Sequence, residues 1–144
     1  MNHIGKGKLV GYSAGSHPKG TVHPMAIALL DRMNIPTAGL HSKGWDEFAA
    51  EGAPQVDFVF TVCDDAANEV CPVWPGLPIS AHWGVEDPAA AEGTELERTE
   101  AFRRVFRVLE HRIRIFASLP GHSLAHSSLQ ADVTRIGTSH PAPS

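Results

Sequence analysis

The most regular hydrophobic spacing in the chain lies between Thr94 and Ala117. Phe102, Val105, Phe106, Leu109, Ile113 and Phe116 recur at three- and four-residue steps, which makes one apolar stripe along a helix. Thr94 is its expected N-cap, and Glu97, three residues on, completes a capping box. The many Arg and Glu residues of this segment are assigned to a solvated opposite face, and Pro120-Gly121 ends it. Phe58 to Val62 has a different character: an unbroken apolar and β-branched run, as in a strand buried on both faces. Ile79 to Val85 is a second strand candidate, and Lys8 to Ala14, closed by Gly15, a third.

Helical signals fill the spaces between. Thr21 to His23 lead into a helix whose first turn holds Pro24, where proline is tolerated. Met25, Ile27, Ala28, Leu29, Leu30 and Met33 form its buried side, and Asn34 and Pro36 stop it. Ser42 is the N-cap candidate of a short helix with Trp45 and Phe48 facing inward. Residues 16 to 20 have turn chemistry throughout, and Gly52 and Pro54 mark another loop. Residues 119 to 144 are rich in Ser, His, Pro and Ala and read as a flexible tail with one weak helical stretch. The alternation of strands and helices argues an α/β domain with a parallel sheet and right-handed crossovers.

Composition narrows the function classes. The chain has 144 residues and a net charge of −4, enough for one domain with a modest core. It has no basic stripe interleaved with aromatics, which argues against a nucleic-acid partner. Its longest apolar runs fall far short of the roughly 20 residues a membrane span needs. No signal peptide is visible, and two cysteines without a framework fit a reducing cytoplasm. The pairs His17/His23 and His122/His126 read as solvated residues; no metal site is assigned. His82 and Trp83 read as hydrogen-bonding and packing residues.

The candidate chemistry sits between Phe58 and Pro88. Both cysteines, Cys63 and Cys71, lie there, each where a loop begins, the usual place for chemistry in α/β proteins. Eight positions separate them, so they are neither a thioredoxin-type Cys-x-x-Cys nor a zinc knuckle. Two buried thiols acting as small hydrophobes is one reading, and a redox pair is the other. Were the segment between them helical, eight residues would rise about 12 Å. A disulfide needs Cα atoms within about 7 Å, so pairing requires that segment to unwind. Asp64, Asp65 and Asn68 are weak helix formers and make unwinding cheap.

The stretches TVCDDAANEVCPVWPG and AHWGVEDPAA resemble the thioredoxin-coupled arsenate reductases, which share the fold of the low-molecular-weight protein tyrosine phosphatases. Upstream, YSAGSHPKGTVHPMAIALLDRMNIPTAGLHSKGWDEF is similar to the same family in the same order. The resemblance implies a three-layer fold with a parallel sheet of order 2-1-3-4, over a domain at residues 1–118 followed by the tail at 119–144. It implies a relay in which Cys63 attacks a nucleophilic cysteine and releases arsenite. Cys71 then attacks Cys63, and thioredoxin or a small thiol reduces the resulting disulfide; no cofactor is bound. Asp87 matches the acid that protonates the leaving group in the phosphatases, and Pro88 biases it toward extended geometry. Family members also carry an N-terminal Cys-x5-Arg loop that binds the arsenate or phosphate oxyanion. Six residues past Cys63 stands Glu69, and six past Cys71 stands Leu77. The expectation is therefore a chain starting partway along the helix that follows this loop, with Met1 to Gly5 as its last turn, and strand 1 and the loop absent. Such a chain is expected to be inactive, and its exposed sheet edges invite self-association. Alternatives are a low-molecular-weight phosphatase relative and a non-enzymatic thiol-redox or metalloid-binding protein.

Overall fold

The computed structural model describes residues 1–15, 18–62, 78–119 and 126–141. At its centre β1 (Phe58–Thr61) and β2 (Ile79–His82) pair in parallel, Phe58 opposite Ile79 and Thr61 opposite His82. Aromatic and β-branched residues suit this pleated surface. Alternation along each strand sorts them. Phe58 and Phe60, with Ile79 and Ala81, line one face and join Trp83 in the main core cluster. Val59, Thr61, Ser80 and His82 take the other.

Helix α4 (Glu95–Ala117) crosses the aromatic face. Phe116 meets Phe58, Phe60 and Trp83 edge-on, with ring centroids 4.9, 5.2 and 6.0 Å away, and Phe60 stacks on Trp83 at 3.9 Å. Such contacts add to the burial of large rings. Thr94 caps α4 as its sequence predicts: its Oγ1 accepts the Glu97 N–H at 3.1 Å and donates to Glu97 Oε1 at 3.2 Å. A second helix, α5 (His126–Ile136), packs against β2 and α4.

Four sequence expectations are corrected here. The first is the tail. Within 119–144, α5 places Leu129, Val133 and Ile136 in the core, with Val133 fully buried. Spacings of four and three put these residues on one helical face, enough to dock a short helix whose polar composition hides the pattern. The second is Arg112, which is not on the solvated face. It is 1% exposed and shares the buried side of α4 with Phe116. The third is Lys8–Ala14, which forms no strand. Val10 and Tyr12 are exposed, Leu9 alone of the segment packs against the main core cluster, and the parallel bridge nearby is that of Gly15 to Gly44. The fourth is Ser42. The short helix α3 (Asp46–Ala49) starts after Trp45 with no side-chain cap, and Ser42 Oγ instead accepts the Gly20 N–H at 3.1 Å.

The remaining elements surround α4. Asn2–Gly5 forms a single turn, α1, against it. Asn2 pairs its side-chain amide with the backbone of Gly11 in both directions, at 2.9 and 3.1 Å. Helix α2 (Pro24–Arg32) packs on α4, and Leu29 is its buried residue; Met33, assigned to the buried side by spacing, is exposed. The α/β reading with parallel pairing holds, and among the described residues the sheet has two strands.

Candidate functional site

The candidate site lies at the C-terminal ends of the two parallel strands, where loops converge. Cys63 and Cys71 fall outside the described residues. Their anchor does not: Val62, immediately before Cys63, accepts the Val85 N–H at 2.8 Å. One residue earlier, Thr61 Oγ1 and His82 Nδ1 meet at 2.7 Å across the last register pair of the strands. Both strand exits are thus joined by a side-chain rung and a backbone bond.

Asp87 follows two residues after Val85. Its backbone is extended, at φ −81° and ψ 108°, as the following proline requires. Its Oδ1 accepts the Ala89 N–H at 3.0 Å and caps a 3-10 turn, Pro88–Ala90, that packs on α4. The carboxylate is exposed and fixed by its own turn.

The segment leading to Asp87 is held residue by residue. Arg112 Nη1 donates to the carbonyls of Trp83 and Gly84 at 2.9 and 3.1 Å. Val85 bonds Val62 as above. Glu86 Oε1 takes a 2.7 Å hydrogen bond from Arg104 Nε on the exposed surface of α4. That hydrogen bond, reinforced by charge, holds the Glu86 carboxyl below its ordinary range and raises Arg104. Arg112 is lowered by desolvation; its partners are carbonyl dipoles, with no carboxylate among the described residues. Its Nε donates to a third carbonyl, Ser139, at 3.1 Å.

The C-terminal helix closes the same corner. Trp83 Nε1 donates to Val133 O at 2.8 Å. Gly137 sits so close that a Cβ there would lie 2.5 Å from His82 O and 3.0 Å from Trp83 Cδ1. Gln130 Nε2 reaches Ser80 O at 2.7 Å.

Two residues depart from their sequence expectation. Arg112 stands three residues past Leu109 and four before Phe116, so its helical phase is the available signal. Trp83 is the hydrogen-bonding and packing residue expected of it, with its partner fifty residues away. His23 is not a solvated loop residue: it caps α2, accepting the Met25 N–H at Nδ1 at 3.1 Å, and its ring lies 4.8 Å from that of Phe102. Among the described residues no three His, Cys, Asp or Glu side chains cluster to hold a metal ion. His17, His122 and the His126 side chain lie outside what is described.

Comparison with known proteins adds an independent line. The model of the low molecular weight phosphotyrosine protein phosphatase family matches residues 1–134. The chain is 39% identical over 106 residues to an arsenate reductase of Halalkalibacterium halodurans, covering 74% of this chain and 73% of that one. It is 37% identical to an arsenate reductase of Oceanobacillus iheyensis and 36% to one of Bacillus subtilis, each over 106 residues with the same two shares.

Proposed function

The chain belongs to the low molecular weight phosphotyrosine protein phosphatase family, and from that premise we propose that it serves arsenate reduction through a thiol relay. The observation that carries this reading is the stitching of the two strand exits: Val62, next to Cys63, is bonded to Val85, two residues before Asp87. The similarity to arsenate reductases supports the substrate class. Arsenate is a tetrahedral oxyanion that a thiolate attacks with loss of one oxygen, and Asp87 is the proton donor to that leaving oxygen. Cys63 then attacks the arsenic-bound sulfur. A sulfur–sulfur bond forms, the sulfur–arsenic pair stays with arsenic, and arsenic leaves as arsenite, reduced by two electrons. Cys71 attacks the Cys63 sulfur and frees the first thiolate. A dithiol such as thioredoxin, or two equivalents of a small thiol, reduces the Cys63–Cys71 disulfide.

The first thiolate in this scheme belongs to a Cys-x5-Arg loop, and no such motif occurs within these 144 residues. The family order 2-1-3-4 belongs to the same proposal, although Lys8–Ala14 forms no strand in the structure. So does self-association through the edge of β1 that no described strand covers. On this reading these 144 residues hold the resolving half of the relay, and by themselves they do not turn over arsenate or an aryl phosphate. Steady-state assays with both substrates check this, and turnover abolished by Cys63→Ser would overturn it. The relay itself is tested by mild oxidation. Intact mass should fall by two hydrogens, Cys63→Ser and Cys71→Ser should each prevent the loss, and thioredoxin should restore the thiols. Thiols that stay free, or that join only between chains, would exclude the relay.

A further inference from the structure

Arg112 is a buried charged side chain that the relay does not use. A guanidinium carried out of water is costly unless every donor direction is met. Here Nη1 bridges two consecutive carbonyls, Trp83 and Gly84, while Nε takes Ser139 on the far side. The fork of planar donors suits this double duty, whereas an ammonium on a flexible stem presents a single point. The two segments it joins are distant in sequence and have different fates. One runs from β2 through Val85 and Glu86 to Asp87. The other is the end of α5, where Ser139 N–H also bonds Ile136 O at 2.9 Å. Gly137 backs the same junction, because its missing side chain lets the α5 end lie directly on His82 O and Trp83.

We propose that Arg112 is a positioning residue: by holding the carbonyls of Trp83, Gly84 and Ser139 together it sets the placement of Asp87 and makes the end of α5 part of the site's frame. The inference rests on reading Asp87 as the proton donor. Trp83 is fixed by Arg112 and by its own N–H to Thr61 O at 2.7 Å, Gly84 by Arg112, Val85 by Val62, Glu86 by Arg104, and Asp87 by its own cap. Of the side-chain anchors on the backbone of this segment, the one from Arg112 is buried and also reaches Ser139. The Glu86–Arg104 pair is exposed, at 53% and 55% of the side chains, and open to solvent screening. Arg112 is therefore the buried side chain that couples this segment to the end of α5.

Residue-resolved amide hydrogen exchange on the full chain tests this. In the unmodified protein the amides of Val85, Ala89 and Ser139 should open together, with one denaturant dependence, below the global unfolding free energy. In Arg112→Met these three amides should lose about tenfold more protection than amides in the middle of α4 or in β1. Arg112→Lys, which keeps the charge without the fork, should give the same split. Arg104→Met should leave Ser139 unchanged. Equal loss of protection everywhere would reduce Arg112 to a general brace and overturn the proposal, as would no loss at Val85 and Ala89. Should the Arg112 variants not fold, independent opening of Ser139 and Val85 in the unmodified protein would overturn it just as well. These readouts involve neither cysteine nor arsenic, so a failed relay, seen as an absent Cys63–Cys71 disulfide, is distinguishable from a failure here.

Discussion

The chain before β1 and the chain after it reach order by different routes. Val10, Tyr12, Met33 and Leu40 are 68%, 53%, 46% and 46% exposed, and of the buried apolar residues described only Leu29 and Phe48 precede β1. That region is tied largely by polar contacts, Asn2 to Gly11, Gly20 to Ser42 and Gly15 to Gly44, with Met1 and Leu9 reaching the core cluster from outside. From β1 onward the order comes from apolar faces that meet across long sequence separations, with Phe60, Trp83, Phe116 and Val133 in one cluster. Burial of large side chains contributes about 1.5–3 kcal/mol each, while a net hydrogen bond contributes about 1 kcal/mol. The lesson is that the candidate site stands on the well-buried half. The loops before β1 are expected to open at lower free energy than the buried half.

The sharpest break of this contrast is Trp83→Ala against Val10→Ala. Removing the indole empties the centre of the aromatic cluster and orphans Val133 O, so a loss of about 3–5 kcal/mol is expected. Val10→Ala should stay within about 0.5 kcal/mol. Urea unfolding of both variants checks it, and equal effects would erase the distinction between the two regions. Next comes Gly137→Val. Its Cβ would clash with His82 O at 2.5 Å, and overpacking of this kind costs about 1–3 kcal/mol. The loss should appear as earlier melting of α5 by circular dichroism.

The smallest effect is expected at the surface. Arg104 lowers the folded pKa of Glu86, so this carboxylate contributes stability above its unfolded pKa. That contribution is lost as pH falls through the lowered folded value. Acid titration of stability should therefore be slightly shallower in Glu86→Gln over that window, and the difference should fade with added salt. A gap between the two proteins that grows with salt would contradict the pairing.

Much of the buried half was legible because its signals are local and periodic. The α4 stripe, the Thr94 cap and the β1 run each follow from spacing or from one side chain. What escaped depends on partners elsewhere. Arg112 lies in phase with the stripe, yet a charged residue is buried only if carbonyls wait for it, and those belong to Trp83, Gly84 and Ser139. The α5 helix has a face of three residues, Leu129, Val133 and Ile136, too short to stand out amid Ser and His. Lys8–Ala14 failed in the other direction, since β-propensity without a neighbouring strand does not make one. At the candidate site the extended backbone that Pro88 imposes on Asp87 was legible, while the anchors that hold this segment were not. The cysteine pair lies outside the described residues.

Trp83 has an optical consequence. Its ring is 2% exposed, stacked on Phe60 and hydrogen-bonded through the indole N–H to α5. Indole fluorescence shifts to longer wavelength when the ring meets water, and loss of that hydrogen bond alters the excited state even before water arrives. Release of α5 should therefore redden the emission of Trp83 while α4 and the sheet remain formed. With Trp45 and Trp74 replaced by Phe, the protein would carry a native gauge of whether the corner behind Asp87 is shut. That gauge needs no label and can be read in a stopped-flow cell during thiol exchange.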